Sequence, residues 1–182
     1  MIVGGKTITE LVLNGPDSAG RAVVIRPFDV RNVNPNSYDL RLHNELLTYP
    51  ELELDMQRAP RTEKITIPEN GLLMMPGKLY LGRTVEYTET KNLVPVLEGR
   101  SSVGRLGIQV HITAGFGDAG FRGYWTLELT CIQPVRIYAG VRICQIAYSL
   151  MHGEHTPYIS SKYQDSQDIL PSRIWKDFAH GH

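Results

Sequence analysis

The stretch FRGYWTLEL, residues 121–129, reads as a β-strand, and the rest of the chain is read outward from it. Side chains alternate faces along a strand, so Trp125, Leu127 and Leu129 share one face and Tyr124, Thr126 and Glu128 the other. The first face belongs to a core. On the second, Glu128 has two readings. It is either a carboxylate on a solvated face or a general base among aromatic and apolar neighbours. The strand alone leaves both open.

Similar short runs surround it, in SYDLRLHNELLTY (37–49), KITIPENGLLMMPGKLYLGRTVEYT (64–88) and VRIYAGVRICQIAYSLM (135–151). Turn signals recur at roughly the spacing of an all-β sandwich or barrel. PENG and MPGK are turns by chemistry, because Pro fixes φ and Gly or Asn accepts positive φ. The chain is therefore expected to be mainly β. Two helical pieces interrupt it. MIVGGKTITELVLNG (1–15) puts Ile8, Leu11 and Val12 at helical spacing, and SSVGRLG (101–107) predicts a helical turn N-capped by Ser101 or Ser102. The alternating run IQVHITA (108–114) predicts a further strand.

No internal repeat or low-complexity linker divides the 182 residues, which fit one domain. Residues 1–152 form the expected core. The polar tail 153–182 either frays or orders over a ligand. Lys plus Arg equals Asp plus Glu, 19 each, so the global charge points to neither nucleic acid nor membrane. An anionic ligand must be held by a local cluster of cations. The apolar runs are too short to span a bilayer, and the N-terminus lacks the pattern of a signal peptide. Cys131 and Cys144 lie in strand-like runs, so they are expected as buried, reduced thiols of a cytoplasmic protein.

Three features besides Glu128 carry chemistry. EGRSSVGRLG (98–107) gathers glycines, hydroxyls and two arginines, which makes either a phosphate cradle or a common Gly/Ser turn beside Arg. It lacks the GxxxxGK[ST] pattern of a Walker loop. Asp118, in GFGDAGFRG, either braces its own turn or accepts a hydrogen bond from a sugar hydroxyl. His111 is a structural histidine or a ligand. The HxE and PCxxC elements of zinc nucleobase deaminases are absent, so attack of water on a base would proceed without zinc. GxSxG is absent as well, which sets aside a serine hydrolase with a nucleophile elbow.

Read as one block, GRSSVGRLGIQVHITAGFGDAGFRGYWTLEL (99–129) resembles the core of the dCTP deaminase family, relatives of the trimeric dUTPases. PNSYDLRL (35–42), LLMMPGKLYLGRTVEY (72–87), KYQ (162–164) and PSR (171–173) extend the resemblance over most of the chain, in family order. It implies a distorted jelly-roll β-barrel of the dUTPase-like type, assembled as a homotrimer with active sites at subunit interfaces. It implies that Glu128 is the general base that activates water against C4 of cytosine, supported by Ser101 and Arg105. The segment His111, Ile112, Thr113 and Ala114 would read the pyrimidine, and Asp118 would meet the 3′-hydroxyl. Arg100, Ser102, Tyr158 and Lys162 would hold the triphosphate, with Mg²⁺ riding on the phosphates.

Gly115 stands where monofunctional members commonly carry histidine, and so resembles the bifunctional branch, which converts dCTP to dUMP and pyrophosphate. A glycine there leaves room for a water near the α-phosphate and permits unusual φ. Ala119 replaces a usual proline, and Ser166 a frequent glutamine, whose work would fall to Gln164 or Gln167. The resemblance further implies inhibition by dTTP. The competing readings are a monofunctional deaminase releasing dUTP, a plain dUTPase, and a non-catalytic nucleotide-binding jelly roll.

Overall fold

The computed structural model describes residues 1–156, 158–159 and 162–179. Pro157, Ser160, Ser161 and residues 180–182 of the tail lie outside the described residues. The chain is mainly β, as its turn spacing predicts. It opens on α1 (Gly5–Asn14), which buries Ile8 and Leu11, with Val12 packed against the core from the side.

The larger sheet runs, in spatial order, β4 (Glu63–Thr66), β3 (Glu45–Thr48), β6 (Tyr80–Lys91), β9 (Arg122–Cys131) and β8 (Ile108–Gln109), and β1 (Ala22–Arg26) also pairs with β6. A second sheet holds β2 (Tyr38–Arg41), β11 (Arg142–Leu150) and β7 (Leu93–Gly99). The third pairs β10 (Val135–Ile137) with β5 (Leu72–Met74), and every strand pairing is antiparallel. One core draws Leu127 and Leu129 from the larger sheet and Leu97, Ile146 and Tyr148 from the second, all of them buried. Burying each such side chain fully contributes about 1.5–3 kcal/mol. The faces of β9 divide as the alternation predicts, with Trp125, Leu127 and Leu129 inside.

The register of β6 against β9 shifts between Arg83 and Tyr87. Within this irregular stretch Glu86 is completely buried, where it accepts from Arg41 Nε at 2.6 Å and from the Arg41 backbone N–H at 2.8 Å. A buried carboxylate needs such partners, because an unpaired charge would cost several kcal/mol.

Two local expectations are corrected. The run 108–114 is not one strand, for β8 ends at Gln109. Val110 still accepts from the Glu128 N–H at 2.9 Å, and then the chain leaves the ladder. Its destination explains this. Leu97 N–H donates to Gly115 O at 2.7 Å and Gly117 N–H to Pro95 O at 2.9 Å, so residues 111–114 cross from the larger sheet to the edge of β7. The short helix α2 (Ser101–Gly104) forms, yet its N-cap is Arg100, without a side-chain cap. Ser101 and Ser102 occupy its first turn and are exposed, which leaves both hydroxyls for other partners.

The described part of the tail packs on its own chain. Tyr158 N–H donates to Ala119 O at 3.0 Å, Asp165 N–H to Arg122 O at 3.0 Å and Tyr124 N–H to Ser166 O at 3.0 Å. Gly123 makes this approach possible. Its φ is 143°, and a Cβ there would stand 2.8 Å from Ser166 N. The described chain ends with α3 (Trp175–Ala179).

Candidate active site

A cavity of about 620 Å³ opens beside the outward face of β9, with Tyr124, Thr126 and Glu128 along one wall. The crossing residues His111, Ile112, Thr113 and Ala114 form the adjoining wall, and Asp118 reaches it from the following turn. The tail contributes Tyr158 and Tyr163. The end of β8 accounts for this arrangement. Because the strand stops, Ile112 N–H is free of the sheet and donates to Glu128 Oε2 at 2.9 Å.

Glu128 is 30% exposed, enough to meet water or substrate. Its carboxyl lies below its ordinary value, held down first by the His111 imidazole, against burial, and then by the Ile112 and Thr113 N–H groups. Burial pulls the other way and is outweighed. His111 Nδ1 lies 3.9 Å from Glu128 Oε2, a charge contact too long for a hydrogen bond. Both of its ring nitrogens are buried without a hydrogen-bond partner among the described residues.

Asp118 is exposed, and its carboxylate has no hydrogen bond among the described residues, while its backbone oxygen accepts from Phe121 N–H at 3.1 Å. The side chain therefore does not brace the turn, which the main chain closes instead. Tyr158 stands against Phe121, ring centroids 6.4 Å apart.

Other candidates lie elsewhere in the chain. Arg100, Ser101, Ser102 and Arg105 sit in and around α2 and do not line this cavity. The Arg100 guanidinium is tied to Asp39 at 3.1 Å. Lys162 pairs with Asp177, and its backbone oxygen accepts from Arg173. Gln164 is the tail's clasp, accepting from Arg122 N–H at 3.0 Å and donating to Gly120 O at 2.9 Å and Tyr158 O at 3.2 Å. Among the described residues Gln167 makes a local contact, donating to Asp165 O at 3.2 Å.

Gly115 is not needed for an unusual φ, since its φ is not in the left-handed region. The reason for glycine is space, because a Cβ would stand 2.4 Å from Leu97 O. Sequence reasoning missed the aromatic walls, Tyr49, Phe121 and Tyr163, which come from three distant parts of the chain. Among the described residues no group of three His, Cys, Asp or Glu side chains could hold a metal ion. No helix among the described residues is long and apolar enough to cross a membrane.

Comparison with known proteins follows the same lines. Residues 2–151 match the family model for dCTP deaminase-like proteins. A protein of Clostridium acetobutylicum named dCTP deaminase, dUMP-forming, is 56% identical over 178 residues, 98% of this chain and 99% of its own. One of Cytophaga hutchinsonii with the same name is 56% identical over 171 residues, 92% of this chain and 99% of its own. Among solved structures, a 2′-deoxycytidine 5′-triphosphate deaminase from Agrobacterium tumefaciens matches with a TM-score of 0.64 at 20% identity. The match covers 83% of this chain and 48% of that one, so this chain spans about half its length, and the likeness is one of fold.

Proposed function

The chain belongs to the dCTP deaminase-like family, and from that premise we propose that it is a dUMP-forming dCTP deaminase. It converts dCTP and two waters to dUMP, ammonia and pyrophosphate. The observation that carries the reading is Glu128, half-buried in a cavity of nucleotide size and held by Ile112 N–H.

The chemistry follows from that carboxylate. Glu128 takes a proton from water as its oxygen attacks C4 of the cytosine, and that proton passes to N3. A second transfer through the same carboxyl protonates the exocyclic amine, the C4–N4 bond breaks, and ammonia leaves. His111 attracts the carboxylate when the ring is protonated and offers its unpaired nitrogens to the water or the pyrimidine. The exposed backbone of Ile112, Thr113 and Ala114 reads the base edge, and Asp118 accepts from the 3′-hydroxyl. A second water then attacks the α-phosphorus and displaces pyrophosphate. Gly115, pressed against Leu97, keeps this stretch of backbone close to β7.

The Mg²⁺ complex of dCTP is the substrate, and Arg100, Ser102, Tyr158 and Lys162 take its phosphates. Ser101 and Arg105 support Glu128. Since α2 stands apart from the Glu128 cavity of its own chain, a site containing both sets requires two copies, which supports a homotrimer with interfacial sites. Residues 1–152 serve as the core, and the tail 153–182 closes over the nucleotide from its clasp on β9. The enzyme works in the cytoplasm, where Cys131 and Cys144 stay as buried thiols, and dTTP inhibits it by competing for the same cavity.

Replacing Glu128 with Gln tests the reading. An amide oxygen still accepts from Ile112 N–H, so dCTP binding stays within a few-fold while turnover falls roughly a thousandfold. Turnover within tenfold of wild type would remove Glu128 from the mechanism.

A further inference from the structure

The second sheet carries a charged cluster at the end next to α2. Asp39 on β2 is 2% exposed. Its Oδ1 receives Arg100 Nε at 3.1 Å and Asn34 Nδ2 at 3.0 Å, and its Oδ2 lies 3.7 Å from Arg142 Nη1. Arg100 Nη1 also donates to the backbone oxygen of Arg142 at 3.1 Å, so the two arginines are tied to each other as well as to one carboxylate. Strand pairing explains the meeting. Arg142 opens β11, Cys144 stands opposite Gly99 at the end of β7, and Gln145 stands opposite Asp39.

The distribution of exposure is informative. The carboxylate is sealed, whereas the Arg142 side chain is 47% exposed and that of Arg100 28%. A pair made for stability alone needs one cation per acid. Here two guanidiniums, Arg100 and Arg142, share the one carboxylate of Asp39, while Arg41, opposite Arg142 in the ladder, is paired with Glu86, which leaves one positive charge in excess. The hydroxyls of Ser101 and Ser102 are exposed immediately beside them. A fixed, planar guanidinium donates two parallel hydrogen bonds to phosphate, and fixing it beforehand lowers the entropy lost on binding.

We infer that Asp39 is a positioning residue that holds Arg100 and Arg142 as a pair, and that Arg142 joins Arg100 as a donor to the triphosphate of the nucleotide. The inference rests on dCTP as the substrate. It assigns phosphate recognition partly to a residue of β11, some forty positions from the Gly-Arg-Ser-Ser segment (Arg142 falls outside that motif altogether).

Calorimetry with inorganic triphosphate and with deoxycytidine, beside steady-state kinetics with dCTP, tests it. Asp39→Asn and Arg142→Gln should each weaken inorganic triphosphate binding about tenfold and raise KM for dCTP in parallel, with kcat and deoxycytidine affinity changed less than about twofold. In the double variant the two losses should combine to less than their product, because the residues act as one unit. A merely structural role would weaken nucleoside and triphosphate alike, and that result overturns the inference. So would unchanged triphosphate binding in Arg142→Gln. Should Asp39→Asn fail to fold, Arg142→Gln, at a half-exposed position, decides by the same comparison. Absence of dCTP turnover in the wild type would overturn the substrate reading instead, and the comparison with inorganic triphosphate would still decide the role of the pair.

Discussion

Removing the amide of Gln164 should release the tail from β9 without unfolding the sheets. Gln164→Ala deletes three neutral hydrogen bonds, from Arg122 N–H at 3.0 Å and to Gly120 O at 2.9 Å and Tyr158 O at 3.2 Å. Each is worth about 1 kcal/mol net. Water replaces part of what is lost, because the site is only partly buried, so the local cost is about 2 kcal/mol. That corresponds to roughly a 30-fold rise in the population of the open tail. Amide hydrogen exchange reads it directly. Tyr124 N–H, which donates to Ser166 O at 3.0 Å, should exchange about 30-fold faster. Glu128 N–H, bonded to Val110 O within the larger sheet, should not change. Because Tyr158 and Tyr163 line the cavity, KM for dCTP should rise in the same variant. Exchange at Tyr124 accelerated less than about threefold would refute the clasp. Equal acceleration at Tyr124 and Glu128 would show global rather than local loss.

Two further predictions concern the cavity. Carbon-13 NMR titration of the free protein should place the Glu128 carboxyl midpoint below 4.5, since His111 and the two amides favour the anion; a midpoint above 4.5 would mean that burial dominates. The sign for stability follows, for a lowered carboxyl contributes stability above its unfolded value that is lost as pH falls through the folded one. Gly115→Ala places a Cβ 2.4 Å from Leu97 O, a backbone atom that cannot turn aside. Overpacking of this kind costs about 1–3 kcal/mol, so Tm should fall by roughly 3–10 °C in a thermal melt; an unchanged Tm would show that the segment shifts freely.

The alternation in 121–129 suffices to put Glu128 on the face away from the core, because a strand's period is local. The same rule misled at 108–114. There the pattern is equally alternating, but the chain is claimed by β7, whose pull on Gly115 and Gly117 is a long-range contact that no local period records. Gly115 does not adopt the unusual φ expected of it, and its lack of a side chain serves the close approach to Leu97 O, a long-range contact with no mark in the local sequence. The aromatic lining was hidden for a similar cause, since Tyr49 and Tyr163 are separated by most of the chain and meet only through the docked tail. Asp39 carries no signal in its local sequence, because its partners Arg100 and Arg142 lie far along the chain.

The most direct measurement is to incubate the protein with dCTP and Mg²⁺ and separate the nucleotides by chromatography through the course of the reaction. The account predicts dUMP, with pyrophosphate in equal amount and no accumulating dUTP. dUTP as the end product would contradict the coupled reaction and strip Gly115 of its catalytic meaning, and unaltered dCTP would return Glu128 to an ordinary carboxylate on a partly solvated face.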